Sequence, residues 1–370
     1  MNIRSLLSMP FAALLALLAA GCDVHEFPEE PAPPAGTVKS TLALVFEDVE
    51  MPPYITLEVA GDSRRSRAEA VHVARYTVNV YDDSDDGRAP SRAVTATALS
   101  TDLAENATNR RTLTVDVPPG TYRYVVWQDF SALGAAADHY YSTVDFSEIS
   151  LLSGPADDDS YKHQGNTRYR DAFRGEGIFK VDRNGAIFLP GEPLPQHSAE
   201  IIMRRPMARY VFVTTDLNEF ISRYKTTTPD IPASSADAPG RPVPSIDLDD
   251  YTIHFRYTGY MPSVYNAHID KPVDSRTGAS FDGAIGPTEG NEAELGSDFV
   301  FVNGHETSVA VAVDVIDKKT NTTIASTNPI NVPLKRGMLT VVKGRFLTST
   351  AGSSVGVNPG FVDDINIKVQ

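Results

Sequence analysis

Arg110-Arg111-Thr112-Leu113-Thr114-Val115-Asp116-Val117-Pro118-Pro119-Gly120-Thr121-Tyr122-Arg123-Tyr124-Val125-Val126-Trp127 is the stretch that decides the fold class. Leu113, Val115 and Val117 alternate with Thr112, Thr114 and Asp116. After a proline-proline-glycine break, Tyr122, Tyr124 and Val126 resume the alternation. A period of two sends successive side chains to opposite faces of an extended strand, so the stretch reads as two half-buried strands. Proline fixes φ and glycine tolerates positive φ, so residues 118–120 read as the turn of a β-hairpin. Trp127 lies inside the strand pattern and reads as a core residue rather than a sugar-stacking platform.

The same period recurs on both sides. Tyr76, Val78 and Val80 face one way, and Thr77, Asn79 and Tyr81 the other. Tyr251, Ile253, Phe255 and Tyr257 repeat it, as do Val309, Val311, Val313 and Val315, and Leu339 with Val341 beyond Lys335-Arg336-Gly337. Short alternating segments separated by Gly, Pro, Asn and Asp predict an all-β chain of β-sandwiches. One segment departs from this: Leu217, Phe220, Ile221 and Tyr224 share a helical face, with Asp216 as N-cap and Glu219 at N3. Arg204-Arg205-Pro206 punctuates the midpoint and predicts a domain of residues 40–204 followed by one of 205–370. The proline-rich run 226–245 reads as an irregular loop of the second domain.

Outward again, toward the amino terminus, Arg4 precedes an apolar run over residues 6–20 that ends in Ala19-Ala20-Gly21-Cys22. This is the layout of a secretory signal, and the run is too short to span a bilayer. It resembles a bacterial lipobox, with cleavage between Gly21 and Cys22 and acylation of Cys22. Ala19 stands where a branched residue is usual, with Leu18 one step earlier. Cys22 is the only cysteine, so no intramolecular disulfide competes for it. Several acyl chains, at about 0.8 kcal/mol per buried methylene, would hold the mature chain on a membrane. Asp23 and Glu26, with Glu29 and Glu30, resemble the signal that sends lipoproteins of some anaerobic Gram-negative bacteria to the outer leaflet of the outer membrane. Elsewhere an Asp beside the cysteine means retention in the inner membrane. Residues 22–39, acidic and rich in proline, read as an extended tether.

The net charge of −15 disfavours nucleic acid, whose binding needs basic patches. Catalytic signals are weak. Gly352-Ser353-Ser354-Val355-Gly356 matches a nucleophile elbow in form, but no histidine follows His305, as that fold requires. The eight histidines show no metal-ligand spacing, and there is no CxxC pair or phosphate loop. Asp82-Asp83-Ser84-Asp85-Asp86-Gly87 opens like a calcium loop, yet Ala93 stands where its last ligand belongs, so it and 157–159 read as solvated turns. The chain is therefore expected to be no enzyme, with no cofactor and no metal.

Five segments, in order, resemble the fimbrillin-like lipoproteins, and among them the anchor subunits of type V pili: Cys22-Asp23-Val24-His25-Glu26-Phe27-Pro28, the stretch 115–127, Arg205-Pro206-Met207-Ala208-Arg209-Tyr210, Val332-Pro333-Leu334-Lys335-Arg336-Gly337 and Gly344-Arg345-Phe346-Leu347-Thr348. The resemblance implies two tandem transthyretin-like β-sandwich domains with short helices in loops. It also implies a surface subunit or anchor of a fimbrium that serves adhesion. Its partners would be other fimbrial subunits, the outer membrane through the lipid anchor, and a host protein or glycan receptor. Subunits of the family join by strand exchange, a form of β-augmentation. Ile365, Ile367 and Val369, alternating with Asp364, Asn366 and Lys368, suit the donor strand and equally suit an ordinary last strand. Arg64, Arg65 and Arg67 stand where stalk subunits are cut for maturation, and equally suit a solvated loop. A surface lipoprotein that binds a glycan or host protein without polymerising is the alternative.

Overall fold

The alternating segments form β-strands, and among the described residues helix is confined to short pieces. The computed structural model describes residues 36–47, 51, 53–57, 72–83, 92–100, 105–107, 109–132, 135–154, 163–225, 246–286 and 288–349. Among them, no helix is long and apolar enough to cross a membrane.

In the first sheet β1 (Val38–Phe46) lies between a parallel β12 (Ala199–Met203) and an antiparallel β6 (Arg110–Val117), with β5 (Glu105–Ala107) outermost. The second sheet is antiparallel: β11 (Ile187–Phe188), β10 (Phe173–Val181), β7 (Gly120–Ala132), β3 (His72–Asp82) and β4 (Arg92–Leu99). Facing each other, the two sheets bury a core that includes Leu42, Leu44, Val78, Val115, Tyr124 and Ile201. A third sheet runs β18 (Thr288–Glu289), β19 (Glu292–Phe301), β13 (Met207–Thr214), β23 (Leu339–Gly344) and β2 (Pro53–Leu57), the last two parallel to each other. A fourth holds β17 (Ser280–Gly283), β14 (Tyr251–Tyr257), β20 (Glu306–Asp317) and β21 (Thr322–Ser326), with β22 (Ile330–Lys335) also paired to β20. Phe212, Phe255, Val313, Val332 and Phe346 fill the second core. A fifth sheet joins β16 (Lys271–Arg276) and β15 (Met261–Asn266) to β9 (Ile149–Leu151) and β8 (Tyr141–Ser142). Val38–Gln370 form one compact unit; of the other, Met1–Thr37, the described residues are Gly36, with φ of 87°, and Thr37.

Several expectations are corrected. Residues 118–120 do not close a hairpin, because β6 and β7 belong to different sheets and the turn carries the chain across the sandwich. Period two shows only that Leu113, Val115 and Val117 meet the same core as Tyr122, Tyr124 and Val126; facing strands satisfy that as well as neighbours do. Gly120 does not use its freedom at positive φ. Its value is space, since a Cβ there would sit 2.9 Å from the Tyr122 hydroxyl.

Strands β3 and β7 are not half-buried either. Thr77, Asn79 and Tyr81 are as enclosed as Val78, and Val125 and Trp127 are fully buried, because this face of the second sheet packs on the second core. Trp127 is a core residue, as expected, with the rings of Tyr141 and Tyr265 at 5.6 and 5.8 Å. On β23 the inward residues are Thr340 and Val342, so the phase suggested by Leu339 and Val341 is one residue off. β1 begins at Val38, ahead of the expected start, because Val38 and Lys39 pair with Val117 and Asp116.

The expected helix, α1 (Leu217–Tyr224), forms with Asp216 at its N-cap, but the Asp216 side chain caps nothing. Its carboxylate accepts from the Thr348 amide at 2.9 Å and the Thr348 hydroxyl at 2.6 Å. Asn291 does the capping instead, taking the Asn218 amide on Oδ1 at 2.7 Å.

Candidate functional site

The residues singled out as sites from sequence, Gly21, Cys22, Asp23, Glu26, Arg64, Arg65, Arg67, Ile365, Ile367 and Val369, lie outside the described residues, as does Ser354. Among the described residues no three His, Cys, Asp or Glu side chains converge to hold a metal.

What the structure does bring together is an apolar groove along one side of the first sandwich. Its origin is visible in β4, where Val94, Ala96 and Ala98 alternate with Thr95 and Thr97. The small inward side chains of this edge strand leave a cleft of about 230 Å³ against β6. Tyr76, Val78, Ala96, Ala98 and Leu113 line it. Three of these, Tyr76, Val78 and Leu113, belong to the first core, so the groove reaches the hydrophobic interior. The opposite side is closed, because the backbones of Arg174 and Arg204 bond reciprocally at 2.8 and 2.9 Å and tie β10 to the end of β12.

A second feature fastens the loop ahead of β10 to the second core. Asp298 on β19 accepts from the Tyr257 hydroxyl and pairs with His163 Nε2, both at 2.6 Å, and forms an ion pair with Arg170. The Tyr210 hydroxyl donates to that of Tyr257 at 2.9 Å, and the Tyr141 hydroxyl donates to the Arg170 carbonyl. All are buried. Burial would raise the Asp298 carboxyl, but Arg170 and His163 hold it below its ordinary value. Burial, and then Arg170, push His163 down. Burial drives Tyr210 and Tyr257 far upward. A closed, fully bonded cluster of this kind positions chain segments and offers a substrate no entry. Gly165 belongs to the same loop and packs on Phe281, whose ring a Cβ would meet at 2.3 Å.

A wider cleft of about 490 Å³ lies where Arg204, Arg205, Lys271 and Arg336 outnumber the carboxylates of Glu47 and Asp270. Arg336 Nε donates to the Arg205 carbonyl at 2.8 Å, and its Nη atoms to Asp270 at 2.6 and 2.8 Å. Two segments that carry the family resemblance, around 205 and 336, thus meet here.

A family model covers residues 42–370. The chain belongs to the family of unknown function DUF6562. No curated protein matches it. Among solved structures it is similar to the fimbrial anchor protein Mfa2 from Porphyromonas gingivalis, at 13% identity and a TM-score of 0.30, over 78% of this chain and 82% of that one. It is similar to a fimbrial assembly protein from Parabacteroides distasonis, at 13% identity and 0.36, over 84% and 91%. It is also similar to a protein proposed to act in cell adhesion from Bacteroides eggerthii, at 12% identity and 0.39, over 87% and 93%.

The groove was missed from sequence, although Val94-Thr95-Ala96-Thr97-Ala98 carried its signal: a strand period whose inward positions are too small to fill a sandwich. The Asp298 cluster left no local signal, because its members come from five separate segments.

Proposed function

We propose that the protein is a lipid-anchored, non-enzymatic surface subunit of a fimbrium, joined to its neighbours by strand addition. The observation that carries this reading is the groove beside β4, which opens the first core at a sheet edge. A strand laid there would hydrogen-bond to the edge backbone and place every second side chain against Tyr76, Val78 and Leu113. The segment 364–370 of a neighbouring copy or a related subunit fits that demand, since Ile365, Ile367 and Val369 alternate with polar residues. Attachment to the outer membrane falls to Cys22, with Asp23 and Glu26 directing surface export. Cleavage among Arg64, Arg65 and Arg67 would discard that anchor and make a stalk or tip subunit.

Deleting residues 364–370 tests the joining step: co-purifying subunits are lost while the thermal transition is kept. Retention of all partners would sink it. Replacing Cys22 with Ser tests the anchor, and fimbriae then appear in the medium. The 490 Å³ cleft favours a second reading, a surface lipoprotein that binds an acidic glycan. Titration with a hyaluronan hexasaccharide decides it: binding that Lys271→Glu abolishes supports this reading, and an absence of binding removes it.

A further inference from the structure

His72, the first residue of β3, and His139, in the loop after β7, stand 67 residues apart in sequence, yet their Nε2 atoms approach to 3.4 Å. The Tyr140 hydroxyl lies 3.3 Å from His72 Nε2. A good N–H hydrogen bond is shorter, at roughly 2.7–3.2 Å. Two donors sharing one ion have this separation, because nitrogens about 2.1 Å from a tetrahedral centre stand about 3.4 Å apart. The rings agree. Imidazoles aimed at one such ion have centres about 5.2 Å apart, whereas rings meeting head-on across the same gap would be about 5.7 Å apart. The observed centres are 5.1 Å apart, with the planes inclined at 60°.

The surroundings hold these rings in place. Arg75 Nε and Nη2 bond the two oxygens of Asp129 at 2.8 and 2.6 Å. Its Nη1 reaches the Ala136 carbonyl at 3.1 Å and Asp138 at 2.7 Å, which fixes the loop that carries His139. Ser131 bonds the carbonyls of Ala135 and Ala137 at 2.6 and 2.9 Å, and Gln164 bonds that of His139 at 3.0 Å. The Tyr169 ring packs on His72 at 4.4 Å, and Tyr140 meets His139 edge-on at 4.5 Å. The buried Arg75–Asp129 pair joins β3 to β7, and the remaining Arg75 bonds, to Ala136 and Asp138, hold the loop.

We propose that His72, His139 and the Tyr140 hydroxyl bind a divalent transition-metal ion of the zinc and copper class, with water completing its coordination. Imidazole donors select such ions over calcium or magnesium, and Cu²⁺ binds more tightly than Zn²⁺. The strand exchange proposed above does not depend on this site.

The test uses the full chain carrying Cys22→Ser, so that no thiol competes, titrated calorimetrically with zinc sulfate or copper sulfate alone. One ion binds per chain, and His72→Gln or His139→Gln weakens it about tenfold or more, with a smaller loss for Tyr140→Phe. The bound Cu²⁺ shows coupling to two imidazole nitrogens by electron paramagnetic resonance, and either Gln variant leaves one. Metal raises the melting temperature of the parent but not of the variants. No binding at about 100 µM metal, or unchanged affinity in both Gln variants, overturns the proposal. Should a variant fail to fold, the parent's resonance spectrum alone decides, since a signal without two nitrogens also overturns it.

Discussion

In the first sandwich β1 lies between an antiparallel β6 and a parallel β12, and in the second β13 lies between an antiparallel β19 and a parallel β23. The plan is the same, but the finish differs. Beyond β23 the sheet continues into β2, whereas β12 ends its sheet among the described residues. The second core is rich in aromatic rings, with Phe255 and Phe281 stacked at 4.9 Å, and is bound by the Asp298 cluster. The first is thinned along β4 by Ala96 and Ala98 and can be reached through the groove. One frame thus yields a sandwich whose core is enclosed by aromatic packing and one whose hydrophobic interior is offered at an edge, which is what β-augmentation requires.

The largest expected effect comes from breaking the closed sandwich. Asp298→Ala leaves Arg170 buried without its partner and should cost about 3–5 kcal/mol in chemical denaturation. Next, one truncation made in each core should differ in size. Leu334→Ala, in the closed core, should fall at the upper end of the range of about 2–5 kcal/mol for such changes, and Leu113→Ala, on the groove, at the lower end. Equal losses would dissolve the distinction.

A pH series sharpens it further. His163 is held below its ordinary value of 6.5 in the folded state, so below that pH the unfolded chain binds a proton that the folded chain refuses. Stability is therefore whole above pH 6.5 and falls as the solution is acidified through that value. Asp298, held below 3.8, adds a further loss only in stronger acid. Replacing His163 with Gln should flatten the first part of the curve in thermal melts. The smallest stability effect should come from Ala96→Phe, which fills the groove at a cost of about 1 kcal/mol or less while abolishing capture of a partner strand in pull-down.

The strands were legible in sequence because alternation is local, and Tyr251, Ile253, Phe255 and Tyr257 show it without interruption. Partners were not. Nothing in residues 110–127 says that β6 and β7 face each other across a core, because period two is identical for neighbouring and facing strands. The second face of β3 read as solvent-facing, since what covers it is distant in sequence: the Tyr81 ring, for one, meets that of His268 at 4.7 Å. His72 and His139 escaped for the same reason, being close only once β3 and β7 pair. Asp216 was legible as a cap position, but the competing amides of Leu347 and Thr348 that claim its carboxylate were not.

The pairing of β2 with β23 has a consequence in time. Pro53 pairs with Leu339, so the third sheet is finished by a segment from near the start of the chain. As the chain emerges from its amino terminus, β2 waits while nearly all the other strands are made, and closing so long a loop is slow. Until β2 docks, the side of β23 that it will take is an unpaired strand edge, the kind of surface on which another strand can add.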